Sequence, residues 1–233
     1  MSKQTNIGRL NEKALHADLK QWLAQPGDQF EVAVDGFIID IVRGNTLIEI
    51  QTRNFGAMKR KLTHLLPHHP IRLIHPIAQE KWIVKLSPDG HPQSRRKSPK
   101  RGTTADLFRE LVAIPHLMLH DNLSLELLLI QEEETRTFDS TRGWRRKGWL
   151  TQERHLLAVT ASHLFNTPAN LMALLPTTLP APFTTAHIAE ELAIPRSLAQ
   201  KMVYCLRHMN AIEMVGKDGR SVLYAGKQAN SGR

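Results

Sequence analysis

Between Ile7 and Ala24 the apolar residues Leu15, Leu19, Trp22 and Leu23 recur at helical spacing, and Gln25-Pro26-Gly27 ends the run. Two strand-like stretches follow, Gln29 to Val42 and Thr46 to Thr52, around Gly44-Asn45, a two-residue hairpin signal. Phe55 to Leu66 reads as a basic helix carrying Lys59, Arg60 and Lys61 and stopping at Pro67. IRLIHPI and KWIVKL predict two short strands, Asp106 to Ile114 a short helix, and LSLELLLIQ another strand. A helix is expected from about Gln152 to Phe165, then a proline-punctuated stretch from Pro168 to Pro182. HPQSRRKSPKRGT has no hydrophobic period, so the segment near 91–103 is expected to be a flexible basic loop.

The rhythm is clearest near the C-terminal end. Thr184 or Thr185 can cap a helix containing Ile188 and Leu192. After a turn through Ala193 to Pro195, Leu198, Met202, Leu206 and Met209 share one face of a second helix. Two short strands then flank Lys217-Asp218-Gly219-Arg220, and Met202, Met209 and Met214 are expected in the core. With the helix expected before it, this pattern resembles the winged helix-turn-helix domain from about Gln152 to Lys227. The resemblance implies DNA contacts by Arg196, Ser197, Gln200, Lys201 and Arg207 on the second helix, and by Lys217 and Arg220 on the wing. Docking of protein, or a role as a dimer unit, is the competing use of such a domain. The division expected is 1–149 and 150–233.

Composition sharpens one point. The chain of 233 residues is 41% hydrophobic, ordinary for a globular protein, but its net charge is +9. That balance points first to a polyanion such as nucleic acid; solubility plus one basic loop is the plainer account. Cys205 is the only cysteine, which excludes internal disulfides and argues against Cys-based zinc sites. No run of about 18 apolar residues predicts a membrane span, and MSKQTNIGRLNEK lacks a signal-peptide core, so a cytoplasmic location is expected. RGWRRKGW, Arg142 to Trp149, could stack bases or anchor interdomain packing. His64, His68, His69 and His75 read as loop residues rather than a zinc site, and Glu132-Glu133-Glu134 as a solvated strand end.

The hairpin holds the sharpest chemistry. If Gly44-Asn45 is the loop, Arg43 faces Thr46, and the register sets Asp40 against Glu49 and Ile38 against Gln51. Direct cross-strand neighbours have Cβ atoms about 4.5–5.5 Å apart, and like charges there destabilise a sheet. Alternation puts Glu49 and Gln51 on one side and Ile48 and Ile50 on the other. Two such carboxylates call for a proton, water or a cation between them. Oxygen ligands favour Mg²⁺ or Mn²⁺. A solvated hairpin face with two unrelated acids is the simpler alternative.

Asp40-x8-Glu49-x-Gln51, following a helix that bears Glu12, resembles the PD-(D/E)xK nuclease core over roughly Ile7 to Leu86. The resemblance implies an α/β fold, a restriction-endonuclease-like mixed sheet flanked by helices, with Asp40 and Glu49 holding the metal. Glu12, expected on the packed side of its helix, would assist through water. Where the family usually has lysine, this chain has Gln51, which can orient water but carries no charge. Either Lys59 or Lys61 supplies the missing cation, or the domain binds DNA without cleaving it. Arg53 is another cation near the site. The function expected is a metal-dependent, DNA-binding nuclease; a catalytically inactive regulator and a protein-interaction module are the alternatives, and a homodimer is left open.

Overall fold

The computed structural model describes residues 7–141 and 148–227, and side chains from residue 13 onward. Helix α1 (Ile7–Leu23) leads into an antiparallel meander of β1 (Gln29–Val34), β2 (Phe37–Arg43) and β3 (Thr46–Ile50). A 3-10 turn at Phe55–Met58 opens α2 (Lys59–Leu65), and β4 (Ile71–Leu86) then lies parallel to β3. Strand β5 (Pro92–Lys97), the short helix α3 (Phe108–Leu111), β6 (Leu123–Phe138) and β7 (Trp149–Phe165) follow. The result is a mixed sheet in the order β1-β2-β3-β4-β6-β7, with β5 on the far half of β4. Helices α4 (Pro168–Met172), α5 (Thr185–Glu191) and α6 (Arg196–His208) and a separate hairpin, β8 (Ile212–Asp218) with β9 (Ser221–Gly226), complete the chain.

Helices cover both faces of the sheet. On one, Leu15 and Leu19 of α1 pack on Ile41, Ile48, Ile50, Ile74, Leu128 and Ile130. On the other, Phe55, Leu62, Leu65, Phe108 and Leu111 cover Ile39, Leu47, Leu73 and Leu125, and this cluster runs without a break into Leu198, Met202 and Leu206 of α6. The apolar stripe expected on the second C-terminal helix is therefore buried as a unit, whereas Met214, expected in the core, is 54% exposed on β8. Thr184 caps α5, accepting from the His187 N–H at 3.3 Å.

Several expectations need correction. The helix expected at Gln152 to Phe165 is strand β7, paired with β6 from Leu125↔Phe165 to Phe138↔Trp149, so the sheet continues to Phe165. A register shift makes inward-facing Leu156 and Val159 three apart, which imitates helical spacing. IRLIHPI and KWIVKL are one strand with a shift between Ala78 and Glu80. Pro76 is tolerated because β4 pairs with β3 only as far as Ile74 and with β5 only from Trp82, leaving that edge of β4 open between them. Gly102 approaches the same open edge and donates to the Ala78 carbonyl at 2.9 Å.

The basic loop is in part strand β5, exposed at every position, which is why no hydrophobic period marks it. Charged edge strands are a common defence against unwanted strand pairing. The supposed solvated strand end is also different. Glu132 and Glu134 are buried: Lys81 lies 2.7 Å and 3.0 Å from them, Arg154 pairs with Glu132, and Arg136 with Glu134 at 2.8 Å. Of RGWRRKGW, residues 142–147 lie outside the described residues; Trp149 stands 4.2 Å under the Lys85 ammonium.

Candidate active site

The hairpin has the register its turn dictates: Arg43 pairs with Thr46, Val42 with Leu47 and Ile41 with Ile48. The ladder stops there, one position before Asp40 and Glu49 would pair. On the other side, β1 and β2 pair at Phe30↔Ile41 and Val32↔Ile39 but not at Glu31 and Asp40. Glu31 has φ 52°, a left-handed conformation rare for such a residue, and its carboxylate binds Lys20 of α1. Asp40 thus stands where both neighbouring strands part from β2.

Its carboxylate replaces the missing strand partner. Oδ2 accepts from the Ile50 N–H at 2.9 Å and lies 3.0 Å from His16 Nε2, while Oδ1 is 3.4 Å from the Lys20 ammonium. Burial pushes the Asp40 carboxyl up, but the hydrogen bond and charge of His16, the Ile50 N–H and Lys20 outweigh it and hold the group below the usual carboxylate range. For Lys20, burial works against the charge, and Glu31 with Asp40 more than offsets it, so its pKa is raised.

Glu49 sits deeper, at 5% exposed. Helix α2 buries Leu62 and Leu65 and thereby brings Lys61 to 2.5 Å from Glu49 Oε1. The same ammonium donates to the Ile38 carbonyl at 2.5 Å. Burial nonetheless raises the Glu49 carboxyl to about 7, since Lys61 only partly offsets it and the charge of Asp40 adds to the rise. Two acids side by side are therefore set apart in acidity, one ionised and one poised near neutrality.

Asp40, Glu49 and Gln51 line one cleft of about 900 Å³, together with Lys13, His16 and Lys20 of α1, Phe30, Ile38 and Lys61. The Gln51 amide donates to the Arg53 carbonyl at 2.5 Å and the Asn54 carbonyl at 3.3 Å, which leaves its oxygen as the group able to orient water. The Gln51 carbonyl accepts from His75 Nδ1 at 2.7 Å. That imidazole is buried against Phe55, and burial lowers its pKa.

Of the sequence candidates, Asp40, Glu49 and Gln51 come together. Lys59 does not join them: two positions before Lys61 on α2, it lines a separate depression with Arg60 and His64. Arg53 is exposed beyond the cleft, and the side chain of Glu12 lies outside the described residues. His64, His68 and His69 lie around Asp35, which His69 meets at 2.9 Å, while His75 is buried apart from them against Phe55; among the described residues they form no group that could hold a metal. His16 and Lys20 went unread, although each follows a leucine of the buried stripe and so flanks it on one side. In the C-terminal part, Arg196, Ser197, Gln200 and Arg207 are exposed along α6, Lys201 is half-buried, and Lys217 and Arg220 are exposed at the hairpin end. Tyr204 and His208 of the same helix, both exposed, set their rings 4.2 Å apart and tilted by 52°, a pair without a sequence signal.

Residues 13–166, more than half of the chain, match the family described as a domain of unknown function, DUF8091. A protein of Treponema pallidum (strain Nichols), described as uncharacterized, is 31% identical over 222 residues, 94% of this chain and 86% of the Treponema protein. That alignment takes in the C-terminal helices as well as the sheet. No solved structure matches. The chain belongs to the DUF8091 family.

Proposed function

We propose that the cleft is the site of a metal-dependent, nuclease-like protein that binds DNA and hydrolyses phosphodiester bonds. One observation carries the reading: Asp40 and Glu49 meet where β2 parts from its neighbours, within a helix, three-stranded meander, helix and parallel strand in the order of a PD-(D/E)xK core. The same order places a cation beside the acids although residue 51 is glutamine. Lys61, from α2, fills the part that lysine would otherwise play.

The donor chemistry fits Mg²⁺ or Mn²⁺. Among the described residues no group of three or more His, Cys, Asp or Glu is placed to hold a metal. The protein's share would thus be the Asp40 and Glu49 carboxylates, a complement that suits ions retaining water and taking substrate phosphate. When bound, such an ion supplies a more acidic water and stabilises a departing oxygen. The chain's own groups do the rest: Gln51 orients water through its amide oxygen, Lys61 stabilises negative charge, and His16 with the Ile50 N–H fixes Asp40. We assign α5, α6 and the β8–β9 hairpin to a winged helix-turn-helix, with Arg196, Ser197, Gln200, Lys201 and Arg207 toward DNA and Lys217 and Arg220 on its wing.

A second reading, binding without cleavage, is favoured by the cations already paired with both acids. Plasmid and a single-stranded circle, each incubated with Mn²⁺, separate the two. Hydrolysis predicts nicking by the wild type that disappears in Asp40→Ala and Glu49→Ala. Salt-sensitive binding with no nicking would support the regulator, and neither effect at low salt would leave the protein-interaction module.

A further inference from the structure

Beside its acids the cleft has a wall that phosphate chemistry does not use. Phe30 of β1 is 45% exposed and Ile38 of β2 is 54% exposed, and both line the same cleft as Asp40 and Glu49. In the same lining, α1 contributes Lys13, His16, Ala17, Lys20 and Gln21, one face of the helix at i, i+3, i+4, i+7 and i+8 spacing, and Ala24 follows just past its end. Lys13, Lys20 and Lys61 share the lining with Glu31, Asp40 and Glu49; Lys20 is paired with Glu31 and Asp40 and Lys61 with Glu49, and Lys13 stands exposed on the α1 side.

Single exposed apolar residues need no explanation, but two on one wall of an ion-lined cleft do. The volume, about 900 Å³, is that of a site for an organic ligand rather than for a hydrated ion alone. A paired duplex offers only phosphates and sugars here, because its bases are stacked inside; Phe30 and Ile38 would then lie against charged backbone. An unpaired nucleotide offers both halves of what the cleft presents, an anionic phosphate and an apolar ring face.

We propose that Phe30 and Ile38 form a subsite for an unstacked nucleobase, so that the cleft takes single-stranded DNA rather than intact duplex. The base lies on the Phe30 ring beside Ile38, and its phosphate turns toward Lys13 on the same cleft. This deepens, and rests on, the assignment of the cleft to nucleic acid.

Fluorescence anisotropy in EDTA tests the subsite without requiring cleavage. The probes are a short labelled thymidine oligonucleotide, the same strand with abasic central positions, and a duplex of equal length. The wild type should bind the base-bearing strand roughly tenfold more tightly than the abasic strand, the size expected for one aromatic stack. Phe30→Ala should lose that discrimination, Phe30→Trp should keep it, and the duplex should not compete through the cleft. Equal binding of both strands by the wild type, or discrimination unchanged in Phe30→Ala, would overturn the subsite while leaving DNA binding in place. Binding of neither strand would overturn the subsite and the DNA reading together. Base-dependent binding by a protein that cleaves neither plasmid nor single-stranded DNA with Mn²⁺ would support the subsite and remove only the hydrolysis.

Discussion

Asp40 and Glu49 differ in what surrounds them more than in their own chemistry. Asp40 has three donors on two oxygens, whereas Glu49 has Lys61, a backbone hydrogen bond at Asp40 and a drier setting. The sign of the resulting pH dependence follows. The folded protein keeps a proton on Glu49 up to about 7, while the unfolded chain releases it near the ordinary value of 4.5. Stability from the neutral carboxyl is full below the unfolded value and is lost as pH rises through about 7. Glu49→Gln should therefore remove a decline on the order of 3 kcal/mol between those limits, read as urea midpoints across the range. An identical pH slope in the variant would refute the burial argument. Glu134 has the opposite sign. Burial raises its carboxyl, but Lys81, Thr151 and Arg136 bring it down to about 2, so its stabilisation is present above 4.5 and lost as pH falls through about 2. Glu134→Gln should flatten the acid limb of the unfolding profile.

Among the elements, those governed by local rules were legible in the sequence. Gly44-Asn45 fixed the hairpin register, and leucine spacing placed α1 and the buried face of α6. Elements governed by neighbours were not. Strand β7 reads as a helix because its bulge spaces Leu156 and Val159 three apart, and β5 reads as a loop because an exposed edge needs no apolar side. His16 and Lys20 were hidden for a similar reason: the partner that gives them meaning, Asp40, is 24 positions from His16 and on another element. The long β4 depends on Gly102, where a Cβ would lie 2.5 Å from Ile77 Cγ2 and 2.8 Å from the Ala78 carbonyl oxygen. Gly102→Ala should cost about 1–3 kcal/mol by overpacking, with hydrogen exchange rising first near Ala78; an unchanged thermal midpoint would contradict that packing. On α2, Leu62→Ala should cost about 2–5 kcal/mol and, by loosening the helix, should also weaken the hold of Lys61 on Glu49.

At the scale of the molecule, one continuous core joins the sheet to the C-terminal helices, so the cleft and the exposed face of α6 belong to one folded unit. No helix among the described residues is long and apolar enough to cross a membrane. The DNA binding we propose has a definite signature for a chain of net charge +9. Replacing exposed Arg196 and Arg207 by alanine should weaken binding across sequences and reduce the salt slope by roughly 1 for each phosphate that is no longer neutralised; an unchanged slope would take α6 out of the interface. The proposal at the centre is narrower, that Asp40 and Glu49 share a divalent ion. Free Mn²⁺ measured by electron paramagnetic resonance during titration tests it without substrate. The wild type should take up one tightly held equivalent near pH 8, and Asp40→Asn and Glu49→Gln should each lose it, by about tenfold or more in affinity. Uptake that is absent in the wild type, or undiminished in both variants, would contradict the account.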